Sequence, residues 1–434
     1  MMVRGAWNTN AMATAEETVL GNGLRVVVLP FRDWPVTATL VSYRAGSLHE
    51  PDGCAGIAHL MEHMMFRGTE RFPGGAIDAL TARLGGINNA VTTTDYAAYY
   101  FALPGAGWRT ALEIEADRME HCRIDRDLLE IERKVALEER RMAADDPESM
   151  LDEALDTFMF GDHAYGRPVI GVMEDIARLT AEDLRSFYRK RYVPSNASVI
   201  VVGGAVANDV FDACSMFFES VSSGPEQAPA SVRALPCRDG QCERVVVDRS
   251  TPRVALGFAT PEATHEDSPA LELLVSLLAS GRSSRLYDRL VRRGRLATEV
   301  SCSRLLQREP GIFTLSAALH PGGPPESATD AMLEVLADLA TRTVSDDEFE
   351  KARRLARADL AAAHDTALGA AATFGLWEAI ETWREGLRFE ELLERVEAED
   401  LRHVAATYLD RKAMASVELH PNACVADAGT EGGA

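Results

Sequence analysis

Two kinds of apolar spacing alternate along this chain, and the order in which they alternate repeats. Period-two or continuous apolar runs at 24–29, 36–43, 88–94 and 96–103 read as strands, the first following the turn Gly21-Asn22-Gly23. Apolar positions at three- and four-residue spacing predict helices at 56–66, 76–84, 108–121, 127–141 and 150–158. Thr180 and Asp183 cap a further helix at 184–192, ahead of a strand at 198–203 and a helix at 209–221.

The pattern then starts again. Strands at 243–248, 253–257, 297–302 and 311–318 accompany a helix at 269–279. Ala181-Glu182-Asp183-Leu184-Arg185 returns as Ala398-Glu399-Asp400-Leu401-Arg402, each time before a tyrosine-containing helix end and a last strand. The expected fold class is therefore α+β: two homologous domains from an internal duplication, each a mainly antiparallel sheet packed with helices. The Ser/Gly/Pro-rich stretch 222–230 sets expected boundaries at 1–221, a linker at 222–242, and 243–434.

Chemistry enters in the helix Gly56-Ile57-Ala58-His59-Leu60-Met61-Glu62-His63-Met64-Met65-Phe66, which spells H-x-x-E-H. His59 and His63 stack one helical turn apart, and Glu62 lies on the same side. Two imidazoles supply two of the three protein ligands of a catalytic zinc, at about 2 Å, while Glu62 is free to take a proton from water. The alternative is a helix whose histidine pair is merely exposed or satisfied in the core. With 10 histidines in 434 residues, chance gives the motif in about one such chain in fifty.

A third ligand is needed. In the helix beginning at 127, Glu132, Val135, Ala136 and Glu139 recur at i, i+3, i+4 and i+7, which puts two carboxylates on the stripe expected to face the core. Solvated glutamates are the ordinary reading of so charged a helix. Beside two imidazoles awaiting a donor, Glu139 becomes the expected third ligand and Glu132 the carboxylate that orients a ligand or the substrate. Glu138 points away. Should residues 89–92 form an exposed sheet edge beside the metal, a peptide could add there as a strand, held by its backbone.

Composition narrows the functions. The 67 acids against 45 bases leave a net charge of −22, which argues against nucleic acid as partner. No apolar run approaches the eighteen or so residues of a membrane span, and residues 1–18 lack the apolar segment of a secretory signal. Seven scattered cysteines are an odd number and fit a reducing cytoplasm better than a disulfide framework. Cys237 and Cys242 have no second Cys/His pair nearby, which weighs against a metal site there.

His59, Glu62 and His63, with Glu139 and Glu132 downstream, resemble the zinc site of the pitrilysin, insulin-degrading enzyme and mitochondrial processing peptidase family. Gly68-Thr69, Gly85-Gly86, Asn89-Ala90-Val91-Thr92, Asp95 and Tyr165-Gly166-Arg167-Pro168 with Gly171 extend the resemblance over nearly the whole chain. It implies a metallopeptidase with one Zn2+ per chain and an extended peptide substrate contacted by Asn89 and Ala90. It also implies a second half that closes over the first as a clamshell half around a peptide chamber. In many members that half supplies an arginine and, seven residues later, a tyrosine; here Val291 and Thr298 stand at those positions. Neither can donate as an arginine or phenol does. The expectation is a heterodimer with a homologous metal-free subunit that brings the pair, a homodimer being the alternative. A non-catalytic scaffold subunit of the same family, or a peptide-binding module with a structural metal, are the rival readings.

Overall fold

A computed structural model of the chain describes residues 15–225, 241–247 and 251–421. The strands are β1 (Glu16–Val19), β2 (Arg25–Pro30), β3 (Val36–Tyr43), β4 (Ile87–Thr92), β5 (Ala97–Pro104), β6 (Ala197–Gly203), β7 (Gln241–Val247), β8 (Arg253–Thr260), β9 (Ala297–Arg304), β10 (Gly311–Leu319) and β11 (Met414–Pro421). The helices of the first half are α1 (Ile57–Phe66), α2 (Ala76–Leu84), α3 (Trp108–His121), α4 (Arg126–Asp145), α5 (Pro147–Phe160), α6 (Met173–Arg178), α7 (Ala181–Arg191) and α8 (Ala207–Phe218). Those of the second half are α9 (Ser268–Ala279), α10 (Pro325–Thr341), α11 (Asp346–Ala363), α12 (Ala367–Ile380), α13 (Trp383–Arg395) and α14 (Ala398–Tyr408).

The duplication is visible in the sheets. One is ordered β1-β2-β6-β3-β5-β4 and the other β7-β11-β8-β10-β9, so that, β1 apart, strand follows strand in the same order. Both are antiparallel except at one pair, β2 with β6 and β7 with β11. The repeated pentapeptides open α7 and α14, and both helices start in a capping box, Thr180 with Asp183 and Glu397 with Asp400.

The two compact units are not contiguous in sequence. One comprises the described parts of 1–141, 167–230 and 359–387; the other, those of 142–166, 231–358 and 388–434. The expected boundaries at 221 and 243 miss this exchange. Its cause is packing: α5 buries Leu151, Leu155 and Met159 and lies against β8 and β11, where Gly257 leaves room for Leu155. α12 buries Ala370, Ala371 and Phe374 in the core over β3 and β6, and Gly375 lets Leu40 approach it. Most of the expected linker lies outside the described residues, as does Cys237.

In the first unit a buried arginine, Arg118, pairs with Glu115 and lies among the rings of Phe66, Tyr99 and Phe101 at 5.0–5.7 Å. That anchors the C-terminal end of α1. In the second unit α9 takes the place of α1, and Leu271, Leu273, Leu274, Leu277 and Leu278 are all buried, as the sequence leads one to expect. Val291 lies in the π-helical turn Tyr287–Arg293, and the Thr298 hydroxyl donates to the Ala318 carbonyl at 3.2 Å. No helix among the described residues is long and apolar enough to cross a membrane.

Candidate metal centre

Six of the ten residues of α1, Ile57, Ala58, Leu60, Met61, Met64 and Met65, are buried. Each large apolar side chain contributes about 1.5–3 kcal/mol, enough to hold the helix in place while three polar side chains stay half-buried on its other face. Its start is fixed from outside. Glu50 Oε1 accepts from the Gly56 and Ala58 amides at 3.0 Å each, and Asp175 accepts from Ala55 at 3.0 Å. Gly56 has φ +97°, and a side chain there would meet the Ile170 carbonyl at 2.7 Å.

The expected third ligand is close by. One donor atom each from His59, His63 and Glu139 lies within 4.8 Å of the others. Glu139 Oε2 is 3.8 Å from His59 Nε2 and 3.4 Å from His63 Nε2, and the two imidazole centroids are 4.7 Å apart. Burial and the neighbouring His63 push His59 down to about 4, so it is neutral at pH 7, the form that ligates. His59 Nδ1 is buried without a hydrogen-bond partner. Burial pulls His63 down, but the hydrogen bond to Glu132 and the nearby Glu139 outweigh it, and its net shift is upward.

Glu132, on α4, is 4% exposed and accepts from His63 Nδ1 at 3.0 Å. Its other oxygen takes the Arg67 guanidinium. Burial raises Glu132, yet His63 and Arg67 together hold its carboxyl below the usual range. One part of the expected stripe is wrong: Val135 is 40% exposed. The buried face is centred between Glu132 and Ala136, and a residue three on from Glu132 falls at its edge. Glu138 points to solvent and pairs with Arg141.

Glu62 faces the sheet. Burial raises its carboxyl, while a hydrogen bond from the Thr92 hydroxyl to Oε2 and the proximity of His63 draw it back. Thr92 is the last residue of β4, which closes the edge of its sheet. Ala90 shares Thr92's face and packs on the α1 core; Asn89 is on the other face, its side chain accepting from the Ala90 amide at 2.9 Å. Arg67 and Thr92 were not among the expected site residues. Both carry a signal in hindsight: Arg67 follows His59 and His63 at i+8 and i+4, and Thr92 has the strand parity of Ala90.

These donors suit zinc: two neutral-capable imidazoles, one carboxylate and a carboxylate-held second nitrogen on His63.

Residues 35–172 match the family model described as insulinase (peptidase family M16), and residues 178–355 match that of the peptidase M16 inactive domain. The chain is 32% identical to the zinc protease PqqE of Helicobacter pylori over 79% of each chain. It is 25% identical to a probable mitochondrial-processing peptidase subunit beta of Arabidopsis thaliana, over 93% of this chain and 78% of that one. The crystal structure of a protease from Helicobacter pylori superposes with a TM-score of 0.90 at 29% identity, covering 94% of this chain and 99% of the other.

Proposed function

The chain belongs to the M16 family of peptidases, and from that premise we propose that it is a zinc-dependent endopeptidase, or the catalytic subunit of one, acting on extended peptides. The observation that carries the reading is the convergence of His59, His63 and Glu139 within 4.8 Å, with Glu62 beside them and the edge strand β4 attached to Glu62 through Thr92. His59, His63 and Glu139 would hold the ion. When bound, zinc lowers the pKa of a coordinated water and polarises a carbonyl.

The chain's own residues do the rest. Thr92 holds Glu62 Oε2, which leaves Oε1 to take the proton of the attacking water and pass it to the departing amine. Glu132 fixes His63 with its Nδ1 proton inward and Nε2 free. Among the described residues no strand adds to the outer side of β4, and that edge is where a peptide would add, with Asn89 and Ala90 alongside; such pairing reads extended shape in place of sequence.

Val291 and Thr298 leave an arginine and a phenol to be supplied, and we assign them to a second chain of the same fold that lacks the metal residues. The unbridged Cys54, Cys122, Cys214, Cys242 and Cys302 fit a reducing cytoplasm. Glu62→Gln tests the function: bound zinc stays near one per chain while turnover of a quenched peptide falls about a thousandfold or more. Unchanged turnover refutes the role of Glu62. Cleavage by the isolated chain at the rate of the reconstituted pair removes the partner.

A further inference from the structure

Lined by Trp34, Val36, Ile87, Ala102 and Leu368, a cleft in the first unit takes no part in the chemistry above. Its volume is about 480 Å³, within the range of roughly 300–1,000 Å³ in which ligands are held. Three features tie it to β4. Ile87 is the first residue of that strand, and Thr92, the last, holds Glu62. Ile87 pairs with Ala102 of β5, whose other neighbour is Ala38 of β3, so all three side chains share the face covered by α12. Thr92 and Ala90 face the opposite way, toward α1. The cleft and the metal centre therefore lie on opposite faces of one strand, five residues apart, or about 16 Å at the usual rise.

The strand is built to be joined. Edge strands are commonly guarded by charge or proline, yet Ile87-Asn88-Asn89-Ala90-Val91-Thr92 carries neither. Its Ile87 and Val91 are 58% and 41% exposed on the cleft's face. In an added strand, the residue opposite Ile87 shares that face, with its Cβ about 5 Å away, and its side chain lies over the cleft.

We propose that this cleft is a subsite for a leucine- or phenylalanine-sized side chain of the peptide, five residues along from the one seated opposite Thr92. The proposal rests on the reading of β4 as the peptide-binding edge and adds to it a distance and a side-chain class. Phe31 stacks on Trp34 at 4.5 Å and stiffens the cleft wall, and the Thr366 cap fixes the first turn of α12 at its rim.

The test uses the full chain, alone and paired with a metal-free chain of the same fold, and twelve-residue quenched peptides that share one cleavage site. Leucine or aspartate is placed four, five or six positions to either side of it. At one of these positions leucine raises kcat/KM at least about tenfold over aspartate. Ile87→Glu and Val36→Glu, changes at exposed positions on two different strands, each bring that ratio near one. In parallel, the Glu62→Gln form binds the uncleaved peptides, read by Trp34 fluorescence with Trp34→Phe as blank. The leucine peptide binds at least about tenfold tighter than the aspartate one, and Ile87→Glu removes the difference. Cleavage without such a preference, or a preference untouched by both variants, overturns the subsite and leaves the peptidase reading intact. Absence of any cleavage by the chain alone and by the pair sinks the peptidase reading, and the binding arm then decides the subsite, equal affinities for the two peptides overturning it.

Discussion

Glu132→Gln separates a carboxylate that supports the metal centre from one that merely lies near it. Glu132 accepts from His63 on one oxygen and from Arg67 on the other, in a position 4% exposed. Glutamine keeps the shape, but one of its two ends is a donor that must meet either His63 Nδ1–H or the guanidinium, both donors themselves. The guanidinium is the cheaper to disappoint, because the Arg67 side chain is 39% exposed and can turn to water. The glutamine oxygen then stays on His63, and what is lost is the charge assistance of that hydrogen bond. Such outer carboxylates change metal affinity by about 10- to 100-fold; retention of the hydrogen bond puts this variant near tenfold, about 1.4 kcal/mol. The sign with pH follows from His63, which Glu132 and Glu139 hold upward in the metal-free chain. Protons compete with zinc for a raised histidine, so the wild type loses affinity on acidification sooner than the variant does. The gap is widest above the pH at which His63 loses its proton and narrows below it. Zinc titration against a competing chelator at several pH values measures it. An affinity within twofold of wild type in alkaline buffer, or a gap that widens in acid, would refute the role given to Glu132.

Two further outcomes follow from the same geometry. Thr92→Val removes the hydrogen bond that draws Glu62 down against its burial, so the acidic limb of the kcat/KM profile moves to higher pH; an unmoved limb rejects the contact. Glu50, which caps α1, is pushed up to about 8 by burial, against the pull of the Ala58 and Gly56 amides. The folded chain then keeps a proton that the unfolded chain releases above about pH 4.3, so stability falls as pH rises from there to about 8, with a slope up to about 1.4 kcal/mol per unit. Glu50→Gln removes that part of the slope; chemical denaturation at pH 5, 6.5 and 8 measures it, and an unchanged slope contradicts the assignment.

What could be read in the sequence was periodicity, and what could not was the surface each period faces. α1, α4 and the strands around them show their apolar faces plainly, and the i, i+7 spacing of Glu132 and Glu139 puts both on one side of α4, each within 4 Å of a histidine of α1. Nothing in that spacing said that Val135 would fall outside the contact. The helices α10 to α13 were not foreseen. α12 is apolar around almost its whole circumference and offers no stripe. The exchange of α5 and α12 between units is invisible for a related reason: an amphipathic pattern names a face to be buried, never the partner. Thr92 and Arg67 act through contacts 30 and 65 residues away along the chain, beyond any local spacing.

The duplication shows why metal chemistry can reside in one copy of a repeated fold. α1 and α9 are both largely buried helices beside sheets of the same strand order. A polar side chain on such a helix is costly unless a neighbour answers it. On α1 the answers come from three residues of two other elements: Glu132 and Glu139 of α4 to the histidines, and Thr92 of β4 to Glu62. On α9 the central positions are leucines, and an apolar helix needs none of these partners. The site is therefore a property of the set. Inserting His-x-x-Glu-His into α9 alone would bury three polar groups without partners, at about 1–3 kcal/mol each, and would unfold that unit before it bound an ion.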